Sequence, residues 1–145
     1  MTIRSLKSYF LLIVISLASA CSVENSGVSH TVNVPKEAVL QHLYYLSSDA
    51  LKGRKIGTKG GRLAQNYIVS QLEQHNIAPL AESYFATFAI KNRFKYIRGK
   101  NVIGVIKGTQ FPNRFIVLSA HFDHIGSKGR QIYNGADDNA SGTSA

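Results

Sequence analysis

The spacing of apolar residues changes along the chain, from a period of three to four to a period of two. The first apolar face predicts an amphipathic helix beginning at Pro35, a residue that suits the first helical position. That face consists of Val39, Leu40, Leu43 and Leu46. A glycine-rich loop is expected over residues 47–61, and Asn76 is expected to cap a second helix in the left-handed conformation. The apolar face of this second helix consists of Leu63, Ala64, Tyr67, Ile68 and Leu72.

The period of two begins near Phe85 and continues to Arg98, which predicts β-strands. Two shorter apolar segments follow, residues 101–106 and residues 115–120. The second of these, Phe-Ile-Val-Leu-Ser-Ala, has no polar alternation, as expected of a strand that is covered on both faces. Helices followed by strands, one of them buried, predict an α/β layered fold.

Composition narrows the class of protein. The chain has 145 residues, 44% hydrophobic and 17% charged, which fits one globular domain and not a disordered chain. With 17 basic and 8 acidic residues, the formal net charge is +9. Cys21 is the only cysteine, so no internal disulfide can form. A zinc site of the Cys₄ or Cys₂His₂ type is excluded too, and a metal would need His and carboxylate ligands.

The first twenty residues have the pattern of an export signal. Arg4 and Lys7 precede an apolar stretch, residues 10–18, that is shorter than the roughly 20 residues of a membrane-spanning helix. The small residues before Cys21 resemble the lipobox of bacterial lipoproteins, which implies lipidation of Cys21 and a membrane anchor. Together with Ser22, this predicts an exported protein, periplasmic or attached to the outer membrane. The alternative is a secretory signal cut near Ala20 that leaves a free thiol.

We therefore expect a signal peptide at residues 1–20 and a tether at 21–34, the latter rich in Ser, Asn, Val and Gly. A basic segment later in the chain interleaves cations with Phe94 and Tyr96, a pattern that also occurs in nucleic-acid-binding strands. Export argues against a nucleic-acid partner, so we interpret the cations as a solvated edge that blocks strand pairing. These cations are Lys91, Arg93, Lys95, Arg98 and Lys100.

Candidate chemistry follows the predicted buried strand. His121 and Asp123 are two residues apart, so in an extended backbone they project to the same side. A carboxylate there can accept the second ring N–H of the histidine and strengthen it as a metal ligand. Three of the eight acids, Asp123, Asp137 and Asp138, lie between 123 and 138, and this clustering predicts a divalent cation. His124 is an alternative ligand, although we interpret it as a loop histidine near the site.

The segments NVIG at 101–104, HFDHIG at 121–126 and YNGADDNASG at 133–142 resemble the zinc aminopeptidases that hold two metals in one site, the M28 peptidases. The segment from Leu46 to Arg54 resembles the lead-in of that family, so the resemblance runs from about Leu40 to the last residue. It implies a three-layer α/β/α fold with a central mixed sheet. It also implies hydrolysis of N-terminal amino acids from peptides that have a free N-terminus.

The same resemblance implies a role for each matching residue. His121 would bind one zinc ion, and Asp123, the residue that the family treats as catalytic, would orient His121. Asp137 would bridge two zinc ions, and its peptide bond to Asp138 would be cis. Asn139 and Ser141 are residue types that favour a helix N-terminus, so a helix is expected to begin just after the acidic pair.

The family's other parts are a Glu-Glu pair, which supplies the general base and a ligand, and then an Asp and a His ligand. No residue here matches them, since the glutamates are Glu24, Glu37, Glu73 and Glu82. Residues 35–145 are therefore expected to be an incomplete peptidase domain, truncated at the C-terminus and inactive alone. Two alternatives stay open: a related zinc enzyme such as a glutaminyl cyclase or carboxypeptidase, and a non-catalytic lipoprotein that binds a ligand on the same fold.

Overall fold

The computed structural model describes residues 33–145, which form two helices, then short antiparallel β-ladders, and then a last short helix. The regular elements, in chain order, are α1 (Lys36–Leu46), a 3₁₀ turn (Asp49–Arg54), α2 (Lys59–Gln74), β1 (Ala78–Pro79), β2 (Phe85–Asn92), β3 (Lys95–Val102), β4 (Gly104–Val105), β5 (Gly126–Lys128), β6 (Gln131–Tyr133), a π-type turn (Ala136–Ala140) and α3 (Ser141–Ser144).

Both predicted helices form, with small differences at their first residues. Pro35 precedes α1 with an extended ψ of 125° and is not its first helical residue. Helix α2 begins before the predicted loop ends, because the Thr58 hydroxyl accepts the Gly61 N–H at 3.2 Å and caps the helix. Gly60 packs against the Leu51 carbonyl with no room for a side chain. The left-handed cap at Asn76 is confirmed by its φ of 56°.

The alternating segment forms a hairpin, as predicted. Strands β2 and β3 pair antiparallel from Phe85 opposite Val102 to Asn92 opposite Lys95. Gly99 leaves space for the Ile56 and Phe88 side chains, which a Cβ at position 99 would meet at 2.5 Å. One face of the hairpin therefore packs against the 3₁₀-turn side of the molecule, while the basic side chains of the other face are exposed.

Of the two later predicted strands, residues 101–106 and 115–120, only the first contains β-structure. Residues 101–106 divide between the end of β3 and the short β4, which pairs with β1. The predicted strand at 115–120 is wrong: the segment has no regular structure and is exposed, with Ile116 94% and Leu118 93% accessible. A strand requires a neighbour for its N–H and C=O groups, and no described strand pairs with this segment.

The described residues are mixed α/β, which confirms the broader fold class. The expected three-layer arrangement around a central mixed sheet is not shown, because the strands form three separate two-stranded antiparallel sheets. The predicted signal peptide, Cys21 and nearly all of the tether lie outside the described residues. Within residues 33–145, no helix is both long and apolar enough to cross a bilayer.

The small core sits between α1, the 3₁₀ turn and the C-terminal turn. Leu46, Leu51, Ala64 and Ala140 are buried, and Phe122 packs against them. Ala140 thus brings the acidic turn of the GADDNASG segment against the first helix, while Phe122 brings the HFDH segment to the same core. Packing by these two apolar side chains places the two polar motifs next to each other.

Candidate metal centre

The side chains of His121 and Asp138 face each other across the two polar segments. Nε2 of His121 lies 3.2 Å from Oδ1 of Asp138. The other carboxylate oxygen of Asp138, Oδ2, lies 3.3 Å from Nδ1 of His124. Each oxygen of this single carboxylate therefore faces an imidazole nitrogen. His124 is the more enclosed of the two histidines, with a side chain 13% exposed against 54% for His121.

Asp123 lies on the opposite side of the His121 ring. Its backbone carbonyl is 3.0 Å from Nδ1 of His121, and its carboxylate oxygen Oδ1 is 3.7 Å from the same nitrogen. A proton on Nδ1 can be donated to this carbonyl, and the tautomer so fixed leaves the Nε2 lone pair directed toward Asp138. The main-chain carbonyl of Asp123, and not its carboxylate, is thus within hydrogen-bond distance of His121, so the orienting role of the carboxylate stays a prediction.

Asp137, the expected bridging ligand, is exposed and is placed differently from Asp138. Its recorded contact is through the main chain, since its carbonyl accepts the Ser141 hydroxyl at 3.2 Å. In residues 33–145 no contact joins its carboxylate to His121, so its role as a ligand stays a prediction. The expected cis bond between Asp137 and Asp138 is wrong by one residue, because the cis peptide joins Asp138 to Asn139.

Local turn chemistry sets the position of Asp138. Gly135 adopts a left-handed φ of 57°, and a Cβ there would lie 2.6 Å from Cγ of His124, so the position requires glycine. Asn139 accepts the Gly142 N–H at 3.1 Å through Oδ1, as a helix-capping side chain does. Thr143 of α3 donates its hydroxyl to the His121 carbonyl at 3.0 Å. The short helix after the acidic turn is therefore bonded directly to the histidine segment.

Arg54, at the end of the 3₁₀ turn, joins both polar segments from behind. Its side chain is 0% exposed. It donates Nε to the Phe122 carbonyl at 2.6 Å, Nη2 to the Gly135 carbonyl at 2.8 Å, and Nη1 to the carbonyls of Asn134 at 2.6 Å and Leu46. Arg54 was not predicted as a site residue, because nothing in the local sequence separates it from the other basic residues of the glycine-rich loop.

Burial lowers the pKa of the Arg54 guanidinium from its ordinary value, while the carboxylates of Asp123 and Asp138 partly counter this by raising it. A guanidinium stays protonated near neutral pH, so a fixed positive charge lies behind the acidic residues of the site. A second contact steadies the acidic turn at its start, where the Asn134 side-chain amide donates to the Asp49 carboxylate at 2.9 Å.

The donor types here, imidazole nitrogen and carboxylate oxygen, are those that zinc takes up, and manganese or cobalt would also accept them. Across residues 33–145 no group of three or more His, Cys, Asp or Glu side chains is placed to hold a metal ion. The fit is therefore one of chemistry and of pairwise geometry, centred on His121 and Asp138. Imidazole nitrogens and carboxylate oxygens of this kind are also the ligand types found in the centres of metal-dependent hydrolases.

Comparison with known protein families gives a match to the part of the chain that contains these residues. The sequence profile of Peptidase family M28 matches residues 101–145. The match includes His121, Asp123, His124 and both residues of the acidic pair, and it supports a metal-dependent peptidase relationship for this part of the chain. It does not extend to residues 40–100, where the resemblance had also been expected. No curated protein and no solved structure gives a significant match.

Proposed function

We propose that this chain carries the metal-binding part of an aminopeptidase site, in which His121 and Asp138 hold a zinc ion. The observation that carries the proposal is the distance of 3.2 Å between Nε2 of His121 and Oδ1 of Asp138, inside the segment that matches the peptidase family. Asp137 is the alternative carboxylate ligand. Bound zinc supplies Lewis-acid activation of a carbonyl oxygen and of water.

Each residue has a distinct task in this proposal. His121 presents Nε2 as a neutral donor when its other ring nitrogen donates a proton to the Asp123 carbonyl, 3.0 Å away. His124 holds the second oxygen of Asp138 and so limits rotation of that carboxylate. The expected substrate is a peptide with a free N-terminus. The expected site has two zinc ions, as the family resemblance implies.

Export and membrane attachment belong to the same proposal. A lipid anchor at Cys21 would hold the domain at a membrane surface, where it would act on peptides in the periplasm or outside the cell. Stable attachment takes more than one acyl chain, because a single chain gives only marginal binding. No nucleic-acid partner is proposed.

The decisive experiment measures metal uptake by the full chain. The protein is stripped with a chelator, titrated with Co²⁺, and followed by its visible absorption. We expect saturable uptake that His121→Ala abolishes and that His75→Ala, a substitution of an exposed histidine at the end of α2, leaves unchanged. Equal uptake by His121→Ala and the wild type, or none by the wild type, would refute the proposal.

A second candidate function, a non-catalytic binding module, is favoured by one observation: across residues 33–145 no group of three or more metal-ligating side chains is placed together, as a catalytic metal centre requires. Hydrolysis of leucyl-p-nitroanilide by the zinc-loaded chain distinguishes the two. Turnover that N-acetylation of the substrate abolishes establishes the aminopeptidase, and stoichiometric zinc without turnover leaves the decision to inhibitor binding. Binding of a leucine hydroxamate in preference to its N-acetyl form then favours the aminopeptidase over the module.

A further inference from the structure

Arg54 is a buried cation that has no carboxylate partner within salt-bridge distance among the described residues. Its acceptors are main-chain carbonyls from three separate parts of the chain: the end of α1 at Leu46, the histidine segment at Phe122, and the acidic turn at Asn134 and Gly135. These acceptors lie 8, 68, 80 and 81 residues away from it in sequence. One side chain thus connects segments that no shared strand connects.

The planar guanidinium suits this task. It presents five N–H donors in a fixed geometry, so the directions of its hydrogen bonds fix the positions of the carbonyls that accept them. Removing it would leave four carbonyls without this partner, and a buried acceptor that loses its donor is costly. A lysine keeps the charge but has neither the fork nor the reach to serve all four.

We propose that Arg54 is a positioning residue that sets the spacing between the histidine segment, residues 121–124, and the acidic turn, residues 134–139. In this way His121 and Asp138 face each other before a metal ion arrives. Phe122 lies next to His121, and Gly135 lies three residues before Asp138, so the hydrogen bonds of Arg54 act on the main chain at both sides of the site. The inference rests on the proposed function for its metal readout.

Electrostatics gives the opposite expectation and so makes the proposal testable. A positive charge behind a cation site repels the metal, and its removal alone would strengthen metal binding. Positioning predicts weaker binding, since residues that orient ligands typically change metal affinity 10- to 100-fold when replaced. The sign of the change therefore separates the two effects.

The experiment compares Co²⁺ affinity in Arg54→Lys, Arg54→Met and the control Arg62→Met, each in the full chain. Arg62 is exposed, and its side chain donates to the nearby Gly57 carbonyl at 3.2 Å, so its substitution removes a charge without touching either segment. We expect both Arg54 variants to bind Co²⁺ about 10- to 100-fold more weakly, with Arg62→Met unchanged. Affinity in Arg54→Met equal to or greater than that of the wild type would overturn the proposal.

Hydrogen exchange provides a readout that needs no metal. Amides of residues 121–124 and 134–140 should exchange faster in Arg54→Lys, while those of the β2–β3 hairpin keep their wild-type rates. If the wild type binds no metal, the proposed function fails, and hydrogen exchange alone then tests whether Arg54 is a positioning residue. Unchanged exchange in both segments would overturn the proposal.

Should neither variant fold, the Arg54 Nε–H resonance of the wild type provides the test. It should exchange slowly and shift on metal addition, and an unshifted signal in metal-loaded protein would count against the proposal.

Discussion

The carboxylate of Asp138 lies between two imidazoles, 3.2 Å from Nε2 of His121 and 3.3 Å from Nδ1 of His124. Its sequence neighbour Asp137 is also exposed, but among the described residues its recorded contact is through the main chain, where its carbonyl accepts the Ser141 hydroxyl. The acidic pair of the GADDNASG segment therefore divides into one residue that faces the histidines and one that does not.

Replacing one carboxylate with an amide should show which of the two aspartates, Asp137 or Asp138, binds the metal ion. Asp138→Asn keeps the shape of the side chain but removes the charge that faces His121, so we expect its Zn²⁺ affinity to fall at least 10-fold. Asp137→Asn is the matched control and should bind as the wild type does. Isothermal titration of chelator-treated protein measures both. The reverse ranking would establish Asp137 as the ligand and contradict the geometry.

The exposed apolar segment at 115–118 should govern aggregation and not stability. Ile116 and Leu118 are 94% and 93% exposed, so Ile116→Lys and Leu118→Lys should change the free energy of unfolding by less than ~0.5 kcal/mol. Light scattering should fall in both, because each substitution replaces an exposed apolar side chain with a charged one. Leu118→Ile, which keeps the apolar surface, is the control.

Leu46 provides the contrast to this segment. Its side chain is 1% exposed, and Leu46→Ala should cost about 2–5 kcal/mol in urea unfolding. A loss of several kcal/mol from Leu118→Lys, or scattering equal to that of the wild type, would show that residues 115–118 are packed in solution. The open groove beside them, which has a volume of 1220 Å³ and is also lined by Leu72, Ile77 and Val105, would then be filled.

Tyr67 should make the stability depend on pH in the alkaline range. Burial, with a smaller contribution from Tyr45, raises the pKa of the Tyr67 phenol above its ordinary value of 10.0. A raised folded-state pKa means that the unfolded chain ionises first. The stabilisation is therefore complete below pH 10 and is lost as pH rises through the folded pKa.

Urea unfolding of the wild type and of Tyr67→Phe between pH 8 and pH 11.5 tests this. Near neutral pH, Tyr67→Phe should be about 0.5–1.5 kcal/mol less stable, because it loses the 2.7 Å hydrogen bond to Nδ1 of His42. This difference should shrink above pH 10. Tyr96 is exposed, so the stability of Tyr96→Phe should depend on pH as that of the wild type does. A difference in unfolding free energy between the wild type and Tyr67→Phe that stays constant with pH would contradict the prediction.

Lipid attachment at Cys21 is tested in cells. Because Cys21 is the only cysteine, Cys21→Ser should abolish incorporation of labelled palmitate and move the protein from the membrane fraction to the soluble exported fraction. Ser22→Ala keeps the thiol and should still be labelled. An unlabelled wild type that is nevertheless exported would favour the alternative, a secretory signal cut near Ala20.

Short-range features of the structure were predictable from the sequence. The helical spacing of Leu43 and Leu46, the alternation of the β2–β3 hairpin and the left-handed Asn76 each depend on residues a few positions apart. The proximity of His121 and Asp123 was predictable for the same reason, since the two residues are close in the sequence itself. These predictions needed only backbone periodicity and residue type.

Tertiary structure alone decided which aspartate meets His121, which arginine is buried, and that residues 115–120 are not a strand. Arg54 reaches three of its four acceptors across 68 to 81 residues, and no local pattern encodes a contact at that separation. An apolar run such as residues 115–120 predicts burial, but a strand also needs a partner for its backbone, which apolar composition does not specify. Within the acidic turn, side-chain direction depends on backbone angles that change from one residue to the next, so only the folded turn decides that Asp138, and not Asp137, lies within 3.3 Å of the histidine nitrogens.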